Sequence, residues 1–366
     1  MRSITLAALM LGFLSSTIFA QEQAQQRHIQ VTFVLDTTGS MSGLIEGAKQ
    51  KIWSIANTIV SENKGAKLQL GLIGYRDRGD EYITRVYDLT DDIDLIYEKL
   101  RAFHAHGGGD GPESVNQALH EAVTKISWND SDDVLKIIFL VGDAPPHMDY
   151  DNDVHYPEVC RLAVKRNLII NTIQCGNETE TTTVWQEIAR SAEGEFVQLE
   201  QSGGMVAIAT PVDAQLAELN AQLGLTIVPF GDRRERESAL AKQSAAEAAP
   251  ASVAADRLAY NTASRKVVQG NEELIDALDE GRIKLEDVKD EQLPEEMRAM
   301  SATQRQEHIE KLRAQRAELQ AKVTDLLQQR QAYIDTERRR LAESGNGDAF
   351  DQKITEVVRA QVREKE

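Results

Sequence analysis

The run VLKIIFLV at residues 134–141 constrains the fold more than any other stretch of this chain; only Lys136 interrupts its apolar character. A strand with one wet face alternates apolar and polar residues, whereas one covered on both faces reads as a continuous apolar run. Strands of that kind belong to mostly parallel sheets with helices on either side. Further apolar runs at 29–36, 67–75 and 168–174 alternate with helical patterns, which is the signature of an α/β sheet sandwiched by helices. The spacing predicts a helix over 42–62, with Leu44, Ala48, Ile52, Ile55 and Ile59 on one face. It also predicts a shorter edge strand over 82–89, a helix over 91–103, and a helix over 158–167 ahead of the strand at 168–174.

Three loops carry acids. The first strand ends in Asp36-Thr37-Thr38-Gly39-Ser40, and a helix is expected to start near Ser40. Asp36, Thr38 and Ser40 lie two residues apart, so an extended segment turning into a helix directs three oxygens at one spot. Hard divalent cations take such oxygen ligands. The second loop reads His106-Gly107-Gly108-Gly109-Asp110-Gly111-Pro112-Glu113. Its glycines let the backbone approach a ligand closely, and Pro112 and Glu113 suit the first turn of a helix running to about residue 126. The third loop, Gly142-Asp143-Ala144-Pro145-Pro146-His147, follows the central strand. Ligands of open α/β sheets bind beyond the carboxyl ends of the strands.

A D-x-T-x-S loop, a glycine-rich loop before a helix and an Asp after a central strand, in this order, resemble the metal-ion-dependent adhesion site of von Willebrand factor A (vWA) domains. The resemblance covers residues 27–230. It implies a doubly wound, mostly parallel, Rossmann-like sheet with one antiparallel edge strand and a cation site on top. Asp36, Thr38 and Ser40 match the first loop and Asp143 the third. Asp110 stands where many members carry Thr, as in a subgroup whose second loop reads GGGD-x-PE. The expected ligand set is therefore Asp36, Thr38, Ser40, Asp110 and Asp143. Carboxylate and hydroxyl ligands suit Mg²⁺, Ca²⁺ or Mn²⁺ rather than Zn²⁺ or Cu²⁺; the resemblance favours Mg²⁺. It also implies a protein partner whose Asp or Glu completes the coordination, a need that a directly ligating Asp110 would lessen.

The chain is acidic, with net charge −18, which argues against nucleic acid as a partner, since phosphate binding needs clustered Lys and Arg. Residues 1–20 carry Arg2, an apolar run from Ile4 and Ala20 before Gln21-Glu22, the pattern of a signal peptide cleaved after Ala20. No later stretch is long and apolar enough to span a membrane, so an exported protein, periplasmic or secreted, is expected. In an oxidising compartment Cys160 and Cys175, at the facing ends of a helix and the next strand, are expected to bridge. His104, His106 and His147 read as loop residues bonded locally, and Asp77 as an acid paired with Arg76 or Arg78. The acidic run 149–153 is not an EF-hand, because Val154 and Cys160 stand where Gly and Glu are required. Without a G-x-S-x-G or P-loop motif, the chain reads as a binding protein rather than an enzyme. A metal-dependent hydrolase, an envelope-enzyme assembly factor, and a scaffold that docks without metal are the alternatives.

Residues 231–270 read as a linker or Ala-rich helix, and 271–366 as an α-helical, partly coiled-coil region. Within it, 301–341 is heptad-like, with Ile309, Leu312, Leu319, Val323, Leu326 and Tyr333 in register. Ser301 and Gln304 suit a capping box. Arg316, Arg330 and Glu337 share that register and weaken a zipper. Two arrangements follow: helices packing on themselves or on the first domain, or a helix joining two copies as a homodimer. Residues 350–362 are expected to form a short helix packing back.

Overall fold

The computed structural model describes residues 27–63, 66–109, 111–203, 208–343 and 349–364. The expected leader at 1–20 and Asp110 lie outside the described residues. The strands are β1 (His28–Asp36), β2 (Lys67–Tyr75), β3 (Thr84–Thr90), β4 (Leu135–Gly142), β5 (Leu168–Cys175) and β6 (Phe196–Leu199). They form one sheet in the order β3-β2-β1-β4-β5-β6. Every pairing is parallel except β2 with β3, so the edge strand is antiparallel, as expected. The chain leaves β1 towards β2 on one side and returns to β4 on the other. The order therefore reverses at β1, which opens a crevice above its carboxyl end.

Pleating sends alternate side chains of each strand to opposite faces. Phe33 and Leu35 of β1 and Phe139 and Val141 of β4 point to one face; Val34, Ile138 and Leu140 point to the other. The first face is covered by α1 (Ser42–Glu62) and α2 (Ile93–Arg101). The second is covered by α3 (Val115–Thr124), α4 (Tyr156–Lys165) and α5 (Thr179–Ser191). Both faces of β4 are thus dry, which explains why its sequence shows no alternation.

The helical region comprises α6 (Asp213–Gly224), α7 (Arg233–Glu247), α8 (Ala251–Ser264), α9 (Leu274–Asp279), α10 (Glu295–Arg298), α11 (Ala302–Glu343) and α12 (Ala349–Glu364). The Ala-rich stretch forms α7 and α8, with Asp232 and Glu235 making a reciprocal capping box. Val253 and Tyr260 of α8 join the α1 side of the sheet, where Tyr260 packs 5.6 Å from Trp53. The last helix, α12, packs back on the same face through Phe350, Ile354, Val357 and Val358, and its Gln361 exchanges buried hydrogen bonds with Asn171 of β5. The heptad-like seam of α11 is filled by its own chain: Ile309 and Leu312 pack against Leu274, Leu293 and Met297, while Val323 packs against Leu216 and Leu258. Tyr333 departs from the expected seam and is exposed; Ile334 takes the buried position.

Cys160 and Cys175 do not pair; both are buried free thiols. Cys160 lies in the core beneath α4, whereas Cys175 points through the sheet to the α1 face. Neighbouring chain ends are not enough when the strand pleat aims one sulfur away. Burial pushes both thiols up to about 12. Neither should react with an alkylating reagent in the native protein over minutes at pH 8, and both should react in denaturant. A mass two hydrogens short, or one thiol labelled without unfolding, would contradict this arrangement.

Candidate metal centre

Asp36 is the last residue of β1, and its side chain is fully buried. Beyond it the backbone turns so that the Thr38 amide and hydroxyl both donate to Asp36 Oδ1, at 2.8 and 2.6 Å. Ser40 Oγ lies 3.3 Å from the Thr38 hydroxyl, within a 3-10 turn, Gly39–Met41, that leads into α1. The three oxygens of the first loop therefore do converge. Asp36 Oδ2, also buried, has no hydrogen-bond partner among the described residues.

The second loop is laced to the first by backbone bonds, from Gly39 N to Gly107 O and from His106 N to Thr37 O, both at 3.1 Å. Gly107 and Gly108 have φ of 85° and 77°, a conformation that side chains rarely adopt. At Gly108 a Cβ would sit 3.1 Å from Glu113 Oε1 and 3.2 Å from Thr38 Cβ, so glycine is what lets loop two lie against loop one. The third loop meets the second where Glu113 N donates to Pro145 O and His147 N to Glu113 O. Asp143 Oδ2 accepts from Gln201 at 2.5 Å. A cleft of about 240 Å³ opens between the loops, lined among others by Thr38, Ser40, Gly108, Glu113 and Asp143.

Two residues at the exit of β2 fasten this arrangement, and sequence reasoning gave them no such role. Arg76, 2% exposed, donates to Thr37 O at 3.2 Å and to His104 O at 2.7 Å, while stacking on Tyr82. Its own carbonyl accepts from Ser114 N. Asp77 pairs with neither adjacent Arg; it accepts from Ser114 Oγ and Tyr150 OH, both at 2.8 Å. Adjacent side chains leaving a strand diverge, so sequence neighbours need not be partners. Arg78 turns instead to Asp153 and to the Tyr150 ring, which drafts the 149–153 run into local bonding. His147 is buried and bonded to Asp149, whereas His104 and His106 are exposed.

Glu113 is the other residue that sequence reasoning underrated, as a mere helix-start acid. It is 3% exposed, faces the cleft and leaves Oε2 without a partner among the described residues. Burial, followed by the charge of Asp36, pushes its carboxyl up to about 9. Burial and then the charge of Asp143 push Asp36 up to about 7. Crowded, desolvated carboxyls with orphaned oxygens are what a small hard cation would relieve, because its charge and ligation replace the missing partners. The residues therefore fit a divalent ion. Among the described residues no three His, Cys, Asp or Glu side chains gather as a metal set, so hydroxyls make up the donor count here. Asp110 lies outside the described residues.

Comparison with known proteins identifies the domain that carries these loops. The family description "von Willebrand factor A domain" matches residues 30–211. An ariadne-like RING finger protein of Acanthamoeba polyphaga mimivirus is 24% identical over 239 residues, 59% of this chain and 23% of that protein. The von Willebrand factor A domain-containing protein 7 of Mus musculus is 34% identical over 119 residues, 32% of this chain and 12% of that protein. The chain thus spans under a quarter of the length of these relatives. Among solved structures, the SpRpn10 VWA domain covers 48% of this chain and 89% of its own, at 16% identity and a TM-score of 0.37. With a six-stranded sheet reversing at β1 and loop acids above it, residues 30–211 of this chain are a von Willebrand factor A domain.

Proposed function

We propose that this domain captures a protein partner through a divalent cation, Mg²⁺ in the first instance, held between the three loops. The observation that carries the reading is the buried Asp36 Oδ2, unpartnered among the described residues, beside a cleft that Asp143 and Glu113 also face. Asp36, Thr38, Ser40 and Asp143 would hold the ion, with Glu113 beside them; Asp110, in the ligand set expected from the sequence, lies outside the described residues. The ion would supply positive charge to which an Asp or Glu of the partner is attracted, and the loops around it would supply specificity. The reading is of a binding module rather than an enzyme: the groups around the cleft are oxygen ligands and their fasteners, and His147 is committed to Asp149. The apolar leader at 1–20 supports export to a periplasmic or extracellular setting, where Ca²⁺ competes with Mg²⁺. The helical region would act as a spacer or second interaction surface.

Calorimetry with Mg²⁺, Ca²⁺ and Mn²⁺ is expected to show one site in the wild type and none in Asp143→Ala. Crosslinking in the native envelope should capture a partner that chelator releases. No binding heat with any of the three ions would remove the mechanism. Partner capture unaffected by chelator would favour docking without metal.

A further inference from the structure

Beneath the first loop lies a second orphaned group, the hydroxyl of Tyr75. Tyr75 is the last residue of β2 and pairs with Asp36 across the parallel β1–β2 ladder. Paired residues of neighbouring strands send their side chains to the same face. The Tyr75 ring sits in the core on the α3 side, fully buried, among neighbours such as Val34 and Ile138. Its hydroxyl crosses under β1 to the end of β4. A Cβ on Gly142 would fall 2.4 Å from that hydroxyl and 3.0 Å from Asp36 Cβ. The hydroxyl and the root of the Asp36 side chain thus close on one point, an approach that is possible because residue 142 has no side chain.

Neither group is satisfied. Tyr75 OH and Asp36 Oδ2 are both buried and without a hydrogen-bond partner among the described residues. One is a donor and the other an acceptor. Buried polar groups left unpaired are rare and costly, and packing alone would be served by Phe, which fills the same space without a hydroxyl. We propose that Tyr75 is a positioning residue of the cation site. Its hydroxyl donates to the outer oxygen of Asp36 through one buried water, and holds that carboxylate in the orientation that ligates the ion. Tyr75 touches neither ion nor partner; it acts through Asp36.

This inference rests on the cation reading above, so its test must separate the two. Wild type and Tyr75→Phe are titrated with Mg²⁺ by calorimetry, and both are melted in chelator. The expected result is affinity at least tenfold weaker in Tyr75→Phe, with a cation-free melting temperature unchanged or raised. A packing role would move both downwards together, and that outcome overturns the proposal. Equal affinities in the two proteins overturn it while leaving the cation site intact. No Mg²⁺ binding by the wild type removes the cation reading and this inference with it. Should Tyr75→Phe fail to fold, a 3-fluorotyrosine placed at position 75 gives a second readout. Its fluorine resonance is expected to shift on Mg²⁺ addition, and a fixed resonance in a protein that binds Mg²⁺ overturns the assignment.

Discussion

Replacing Asp36 with Asn is expected to abolish cation binding and, in the same protein, to stabilise the cation-free fold at pH 8. The two effects have opposite signs because one carboxylate causes both. In the unfolded chain Asp36 titrates near its ordinary 3.8; in the fold, burial and then the Asp143 charge push it up to about 7. Between these values the folded state holds the proton more tightly, so stability falls as pH rises through that window and is flat for this group above it. Glu113, pushed up to about 9, extends the decline to higher pH. The Asp36 contribution lost by pH 8 is on the order of 4 kcal/mol. Asn has the same shape but adds an amide needing partners, so a net gain of about 1–3 kcal/mol is expected. Melting in chelator at pH 4 and pH 8 checks this: the variant should fall below wild type at pH 4, by the cost of the added amide, and exceed it at pH 8. Saturating Mg²⁺ should flatten the wild-type decline, because the ion offsets the same charges. A variant that still binds Mg²⁺ with wild-type affinity, or that melts lower at pH 8, would show that Asp36 is not the centre of the site.

The four central strands were legible because burial on both faces leaves a continuous apolar run that needs no knowledge of partners. β6 was not: Phe196–Leu199 is four residues at an edge, mostly half-exposed, and carries no period to detect. The amphipathic stretch at 350–362 announced a buried face but not its neighbour, since contact with α1 is set by tertiary packing. The paired fate of Cys160 and Cys175 turned on strand parity, which the helix-to-strand separation does not reveal. In the site, Asp36 and Asp143 were readable as acids at strand ends. Tyr75 was not, because an aromatic ending an apolar strand looks like core, and nothing local marks its hydroxyl as aimed beneath Asp36. Arg76 and Asp77 suggested each other by adjacency, and folding sent them to different loops.

The same gap between pattern and partner explains Arg316, whose replacement by Ala is expected to be the most destabilising change in the helical region. By sequence it is a charge spoiling a heptad seam. In the fold it is 4% exposed, and all of its nitrogens are engaged. Nε donates to Thr226 Oγ1 at 2.9 Å, Nη1 to Glu273 and Asp276, and Nη2 to Thr226 O and Glu273 at 2.8 and 2.6 Å. Glu273 in turn caps α9 by accepting from Asp276 N and also accepts from Val228 N. One guanidinium thus joins α11, α9 and the turn after α6. Replacing both members of a buried ion pair by apolar groups can be neutral, but removing one strands the other, at a cost of about 3–5 kcal/mol. Here two carboxyls would be stranded. Burial and then the Glu273 charge already push Asp276 up to about 7 against the Arg316 attraction. Without that attraction it rises further, so Arg316→Ala should lose more stability at pH 8 than at pH 5, where a proton on Asp276 relieves the repulsion. Urea unfolding at both pH values reads the difference, and amide exchange should place the loss in α9 and α11. A deficit equal at both pH values would mean that lost packing, not stranded charge, is what Arg316 prevents.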